Sequence, residues 1–315
     1  MTANLTGSLW LRGLLTLGVL AVLAFKIDMQ ATAEALLRLQ PSAAVAVLGL
    51  LVLDRALMVW RWIILLRARG AAISTKSATW IYLVSSFVGA FLPAGVGADA
   101  ARAYSLSRRT ARGSEAVASV AVDRLLGLSS IVAMGMVGVL VAGRQIPGTP
   151  PLLLPVVALV VLGGTVAALW ADRVMGALLA TRTSSLASRL RGLADAVAQY
   201  RGHRLALAGV ALLSVAVQVL RVLQAYLLGR GIGIDVPFSY YLLFMPIGLI
   251  ALLLPISISG IGAPQAIIVW LLTPRGVPEH DALALSTLIV LSGIIANLPG
   301  ALLYLRSRSA PCFPP

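Results

Sequence analysis

Apolar residues along this chain gather into long runs separated by short polar stretches. The runs show neither the two-residue alternation of strands nor the narrow stripe of a soluble helix. Six are long enough, or nearly so, to cross a bilayer, which takes about 20 helical residues. They cover 9–25, 42–66, 116–141, 152–170, 205–228 and 282–305. Two further runs, 77–92 and 238–254, are shorter and stop at Pro93 and Pro255. Each leads into glycine-rich sequence rather than a polar loop, the punctuation of a helix that breaks and turns back. The predicted fold class is an all-α integral membrane protein. It has about six transmembrane helices plus two Pro/Gly-broken re-entrant hairpins, in a single membrane domain over 1–315. The first run is expected to be a retained helix. Ala31-Thr32-Ala33 resembles a cleavage site, but no Lys or Arg precedes the run and Arg12 falls inside it. In the stretch 184–200, Leu186, Leu190, Leu193, Val197 and Tyr200 recur at alternating spacings of four and three, with Arg189, Arg191 and Asp195 off the stripe. That is an amphipathic helix, lying either on the membrane surface or against the protein itself.

The two halves resemble each other. Arg69-Gly70 closes the second run and Arg230-Gly231 closes the fifth. An apolar run then leads to Leu92-Pro93 and to Leu254-Pro255. Gly95-Val-Gly-Ala-Asp-Ala-Ala101 is matched by Gly260-Ile-Gly-Ala-Pro-Gln-Ala266, and Thr110-Ala-Arg-Gly113 by Thr273-Pro-Arg-Gly276. Shared order over a whole half predicts a repeat, 42–141 and 205–305, joined through a cytoplasmic linker at 171–204. If both short runs are re-entrant, two crossings lie between the second and fifth runs. Those two then point in opposite directions, and the repeat is inverted. Paired Gly/Pro-interrupted segments in inverted repeats mark the sites of secondary transporters. The plainer alternative is that the glycines only let helices pack closely.

Composition narrows the class further. Hydrophobic residues make up 59% of the 315 and charged residues 11%, against about 25% charged in soluble domains. Soluble, disordered and collagenous classes are excluded. Lys+Arg number 25 against 11 Asp+Glu, and the arginines crowd alternate loops. This is the positive-inside pattern and calls for no nucleic acid. Scarce lysine (Lys26 and Lys76) with abundant Ala, Leu, Val and Gly fits a GC-rich bacterial genome, hence a bacterial inner membrane. The arginine-rich loops all fall on the cytoplasmic side, with both termini, if the two Pro-ended runs are re-entrant. Cys312 is the only cysteine, and neither a metal motif nor GxxxxGK[ST] is present, so no cofactor is expected.

Ionisable groups lie at bilayer depth, where each costs at least ~2.5–3.5 kcal/mol on insertion scales. Asp54 and Arg55 fall mid-way along the second run, with Arg61 nearer its end. Asp99 and Arg102 sit on the return limb of the first hairpin, and Asp123 and Arg124 about two turns into the third run. Gln218, Arg221 and Gln224 recur every three residues on the fifth. Adjacent residues on a helix point about 100° apart, so Asp123 or Asp99 is expected to meet an arginine across the hairpin–helix interface. Two plainer outcomes stand beside this: Arg61 and Arg221 snorkel to opposite interfaces, or an Asp–Arg pair is purely architectural. The candidate substrate-binding set is Arg61, Pro93, Gly95, Gly97, Asp99, Arg102, Asp123, Arg124, Gln218, Arg221, Pro255, Gly260, Gly262 and Gln265. Arginine forks and helix N-termini suit a phosphate that must cross a low-dielectric core. No nucleophile is evident, so no catalytic residue is assigned.

Three segments carry a family resemblance: Pro93-Ala-Gly-Val-Gly-Ala-Asp-Ala-Ala-Arg-Ala-Tyr104, Asp123-Arg-Leu-Leu-Gly127, and Leu254-Pro-Ile-Ser-Ile-Ser-Gly-Ile-Gly262. In this order they resemble the lysylphosphatidylglycerol synthase transmembrane region, the flippase-like membrane domain of the multiple peptide resistance factor. The resemblance spans nearly the whole chain. It implies a membrane domain with inverted re-entrant segments that translocates lipids or assists lipid-linked glycan assembly. Where the family often has Arg-Glu after the second Gly-x-Gly, this chain has Pro264-Gln265. Only ten residues follow Leu305, so the soluble aminoacyl-transferase domain is expected to be absent and synthase activity is not carried over. The leading expectation is a flippase for an anionic phospholipid or lipid-linked phosphate headgroup. Its partners are membrane phospholipids, with a homo-oligomer left open. A membrane-embedded transferase, a non-transporting scaffold subunit and a small-solute transporter are the alternatives.

Overall fold

The computed structural model describes residues 29–90, 97–110, 113–142, 185–253 and 263–308, with isolated positions between 159 and 173. The runs 9–25 and 152–170, and Pro93, Gly95, Pro255, Gly260 and Gly262, lie largely or wholly outside the described residues. Among the described residues the secondary structure is entirely helical. In chain order the helices are α1 Met29–Leu37, α2 Pro41–Ala68, α3 Thr75–Ala90, α4 Gly97–Ser107, α5 Gly113–Ala142, α6 Ser185–Ala198, α7 Arg204–Gly231, α8 Phe238–Leu253, α9 Ala263–Leu272 and α10 Glu279–Arg308. Four of them, α2, α5, α7 and α10, are long and apolar enough to cross a membrane. Their outward positions carry Val45, Val52, Leu212, Leu298 and Leu302, as a bilayer solvent demands. The chain is an all-α, multi-pass membrane protein.

The same succession of helices occurs twice. α2 and α7 are each 28 residues, α3 and α8 each 16, α5 and α10 each 30, and α4 and α9 are 11 and 10. Pro41 and Arg204 open α2 and α7 at a separation of 163 positions (204 minus 41). Both helices end in the same hydrogen-bonded cap. Gly70 N–H donates to Arg67 O and Ala71 N–H to Leu66 O; Gly233 N–H donates to Arg230 O and Ile234 N–H to Gly229 O. The glycines have φ 62 and 92, the left-handed conformation that a Schellman cap requires and a Cβ penalises. The equivalent of Gly70 is therefore Gly233. The sequence match to Gly231 was two residues out of step, because Gly231 still belongs to the helix.

α2 and α7 run antiparallel. Gln40 N–H donates to Gly231 O at one end, Arg221 meets Asp54 in the middle, and Arg61 meets Ser214 beyond. α3 and α4 form a hairpin: Arg102 lies over Tyr82, and Arg109 lies over Trp80 near the start of α3. α8 and α9 form another. The Tyr240 hydroxyl donates to Leu271 O at 2.5 Å and Arg275 lies over the Tyr240 ring. The first hairpin opens at the end where α2 finishes, and the second at the end where α7 finishes.

Each hairpin rests on the long last helix of the other half. α8 packs on α5 and α3 on α10, and both contacts are made through glycine. A Cβ on Gly138 would overlap the Leu242 carbonyl oxygen and lie 2.6 Å from its carbon; a Cβ on Gly300 would do the same at Leu83, 2.8 Å from the carbon. Leu242 O is the acceptor four residues before Pro246, which has no N–H to give it. α5 thus approaches where the α8 ladder is already open.

The amphipathic stretch forms α6, followed by a 3-10 turn at Gln199–Gly202. Its second half packs on the protein, not on a lipid surface. Ala196, Val197 and Tyr200 are buried with Leu65, Val122 and Val210. Burial pushes the Tyr200 phenol above its ordinary pKa, and its hydroxyl faces Leu65 O at 3.4 Å. Arg69 ties this turn to the helical body through Gln199 and Glu115. The two ends of the molecule differ in charge. Arg67, Arg69, Lys76, Arg109 and Arg201 lie at the α2–α3 end, while Glu34, Asp235, Glu279 and Asp281 balance Arg38, Arg230 and Arg275 at the other.

Candidate functional site

Three helices bring five charged side chains into one chain of ion pairs. α2 supplies Arg61, α5 supplies Asp123 and Arg124, and α4 supplies Asp99 and Arg102. Arg61 Nε donates to Asp123 Oδ1 at 2.7 Å, and Arg102 Nη1 lies 3.1 Å from Asp123 Oδ2. Arg102 Nη2 donates to Asp99 Oδ1 at 2.8 Å, and Arg124 Nη1 lies 3.5 Å from Asp99 Oδ2. The order is Arg61–Asp123–Arg102–Asp99–Arg124. Each carboxylate divides its two oxygens between two guanidiniums, which is how buried charges are tolerated. Asp123 and Arg124, being adjacent, point different ways and take different partners. The expected pairing across the hairpin–helix interface is present on both aspartates.

The chain is graded in exposure. Side-chain exposure is 5% at Arg61, 2% at Asp123 and 6% at Arg102, then 21% at Asp99 and 39% at Arg124. Three arginines face two aspartates, so one positive charge is left over, and the reachable end is Arg124. The buried end is built in. Arg61 Nη1 donates to Ser214 Oγ at 3.0 Å, and its guanidinium lies on Gly127, where a Cβ would sit 3.4 Å from Nη2. Arg61 therefore does not snorkel. Arg102 sits between the Trp62 ring, 5.2 Å away, and the Tyr82 ring, 4.9 Å away, faces that attract a cation. Trp62 Nε1–H points to Ser119 Oγ at 3.4 Å, fixing the ring.

A second group lies deeper along α2 and α7. Arg221 Nε donates to Asp54 Oδ1 at 3.2 Å, and Arg55 Nε lies 3.7 Å from Asp54 Oδ2. Gln218 Nε2 donates to Ser130 Oγ at 3.3 Å. Arg221 is thus held inside the bundle by Asp54 and is not drawn to an interface. Gln224, third member of the stripe, is buried as well.

Of the remaining candidates, Gly97 opens α4 and is buried, and Gln265 is buried on α9 in the second hairpin. The first set therefore joins Arg61, Asp99, Arg102, Asp123 and Arg124, while Gln218 and Arg221 belong to the second. Trp62, Tyr82 and Ser214 were not anticipated. Ser214 could have been: with Gln218 and Arg221 it occupies positions i, i+4 and i+7 of one helix face. The two rings could not, since nothing in their spacing points to Arg102. Among the described residues no three His, Cys, Asp or Glu side chains converge to hold a metal.

The family model for the lysylphosphatidylglycerol synthase TM region matches residues 9–300. No curated protein matches the chain.

Proposed function

Because the chain belongs to the lysylphosphatidylglycerol synthase TM region family, a family of membrane domains tied to phospholipid handling, we propose that it is a lipid translocase. It moves an anionic phospholipid, or a lipid-linked phosphate, across the bacterial inner membrane. The observation that carries this reading is the ion chain with one surplus positive charge, graded from buried Asp123 to half-open Arg124.

A phosphate leaving water loses its hydration shell, and it crosses only if fixed donors replace that shell. Arg124 offers them. Its ion pair with Asp99, at 3.5 Å, is the longest in the ion chain among the described residues, so a headgroup oxygen displaces it at small cost. Asp99 stays held by Arg102 at 2.8 Å. A singly charged headgroup then cancels the surplus charge, and the acyl chains remain in lipid. No bond is made or broken, so no catalytic group is needed. The recurrence of helix lengths with antiparallel α2 and α7 supports an inverted repeat of the transporter kind. The basic α2–α3 end is cytoplasmic in this reading, with both termini on that side. Membrane phospholipids are its partners.

The test is transbilayer movement in proteoliposomes, followed with nitrobenzoxadiazole-labelled phosphatidylglycerol and phosphatidylcholine under dithionite quenching. The wild type moves the anionic probe faster than empty vesicles do. Arg124→Ala loses one charge-assisted contact of ~1.5–3 kcal/mol and slows movement about 10- to 100-fold. Arg306→Ala, beyond the site, does not. Failure of the wild type to move either probe overturns the reading in favour of a scaffold or a transferase.

A further inference from the structure

The geometry points to a second oxyanion station on the axis of the molecule, formed by Arg55 and Arg221 around Asp54, to which the headgroup phosphate passes from Arg124. The inference rests on the translocase reading and deepens it.

Position is the first argument. Arg221 Nη2 contacts Met58 Sδ at 3.9 Å. These residues are 163 positions apart (221 minus 58), the same separation as Pro41 and Arg204, which open the matching helices. Equivalent positions on two antiparallel helices touch each other only where the approximate twofold axis between them passes. The Asp54–Arg221 group therefore lies mid-way between the basic and the balanced end. Asp54 is accordingly the fourteenth residue of a 28-residue helix. In transporters built from inverted halves, the midplane at the repeat interface is where a substrate is held as access alternates.

Chemistry is the second. Two guanidiniums bring five N–H donors each, yet one carboxylate serves both. Arg55 Nε makes no hydrogen bond among the described residues. The ion chain nearer the basic end also carries one surplus charge, but only its outer end, Arg124, is open, and Arg61 and Arg102 are nearly inaccessible. The deeper group carries a surplus positive charge and spare donors. Its arginine side chains are 21% and 23% exposed, against 5% for Arg61 and 6% for Arg102. A phosphate has the acceptor geometry that two arginine forks fit.

Connection is the third. Ser214, Gln218 and Arg221 share one face of α7. Ser214 accepts from Arg61, the inner end of the ion chain, and Gln218 bonds to Ser130 of α5. Seven residues separate Arg61 from Asp54 on α2, and Ser214 from Arg221 on α7, about 10 Å in each case. The two cationic groups are joined by polar side chains along the α2–α5–α7 seam.

The experiment separates loading from passage. Binding of nitrobenzoxadiazole-labelled phosphatidylglycerol to the full chain in detergent is read by fluorescence anisotropy, and its movement is read in proteoliposomes. Arg221→Gln and Arg55→Gln keep binding within about twofold while movement falls about tenfold or more, and Arg124→Ala loses binding. Asp54→Asn/Arg221→Gln removes one charge of each sign, so it guards against a misfolded single variant; it too binds and does not move lipid. Millimolar inorganic phosphate leaves wild-type movement unchanged if the station takes a lipid headgroup. Inhibition of movement but not of binding means the station takes free phosphate and overturns the lipid assignment. Wild-type movement in the Arg221 and Arg55 variants overturns the second station and leaves the translocase reading standing. Failure of the wild type to move lipid overturns both.

Discussion

Replacing Asp123 by Asn tests the ion chain most directly. Asp123 holds Arg61 at 2.7 Å and Arg102 at 3.1 Å, and all three side chains are nearly inaccessible. Asparagine has almost the same shape but no charge and only one acceptor oxygen. The substitution raises the surplus of the buried chain from one positive charge to two. Removing one partner of a buried ion pair costs ~3–5 kcal/mol, and each kcal/mol moves a melting midpoint by about 2–4 °C in a chain of 150–250 residues. The expected drop is therefore on the order of 10 °C, read as thermal unfolding in detergent micelles. Arg124→Ala, at the open end of the same chain, costs ~1 kcal/mol or less, as exposed pairs do. Adding Arg61→Gln to Asp123→Asn restores part of the loss, because it returns the buried charge to one. Equal midpoints for Asp123→Asn and Arg124→Ala would refute the gradient from buried to open, and with it the reason for assigning the headgroup to Arg124.

Further outcomes follow from the packing. Gly138→Val and Gly300→Val each place a side chain against a helix carbonyl and cost ~1–3 kcal/mol or more by overpacking, seen as a lowered melting midpoint. Gly70→Ala and Gly233→Ala force a Cβ into a left-handed cap and lose about 1 kcal/mol each, measurable by the same melt. Ser214→Ala removes the acceptor for Arg61 Nη1 and costs ~1 kcal/mol, without changing lipid binding at Arg124. Tyr200 favours its neutral form when folded, so the stability tied to it is complete below its unfolded pKa of 10.0 and declines as pH rises above that value. Tyr200→Phe consequently shows a shallower loss of stability than the wild type in an alkaline titration.

Much of the architecture was legible because a bilayer imposes crude rules. Long apolar runs in lipid must be helices. The limits of α2, α3, α7 and α8 fall within a few residues of the runs that predicted them. Partner choice was not legible. Arg61 and Asp123 stand 62 positions apart, and charge alone allows either aspartate to pair with any of several arginines. Only the crossing of α2, α4 and α5 decides it. The same blindness left Arg61 and Arg221 free to snorkel on paper, when each has an aspartate on a neighbouring helix. The two-residue offset between Gly231 and Gly233 has another cause: Arg-Gly closes both runs in the sequence, whereas the matching caps are set by positive φ at Gly70 and Gly233, which letters alone do not display. The linker helix divided two solvents, lipid and protein, that prize the same apolar stripe.

The reciprocal seating of the hairpins has a mechanical consequence. At Gly138 and at Gly300 backbone meets backbone, with no side chain between to yield. Any displacement of α10 would therefore bear directly on the first hairpin, and any displacement of α5 on the second. If the protein is the proposed translocase, the halves would act as two levers, each with its fulcrum on the other, and would open in concert. Expressed as separate polypeptides, 1–170 and 171–315 should resist proteolysis only when made together.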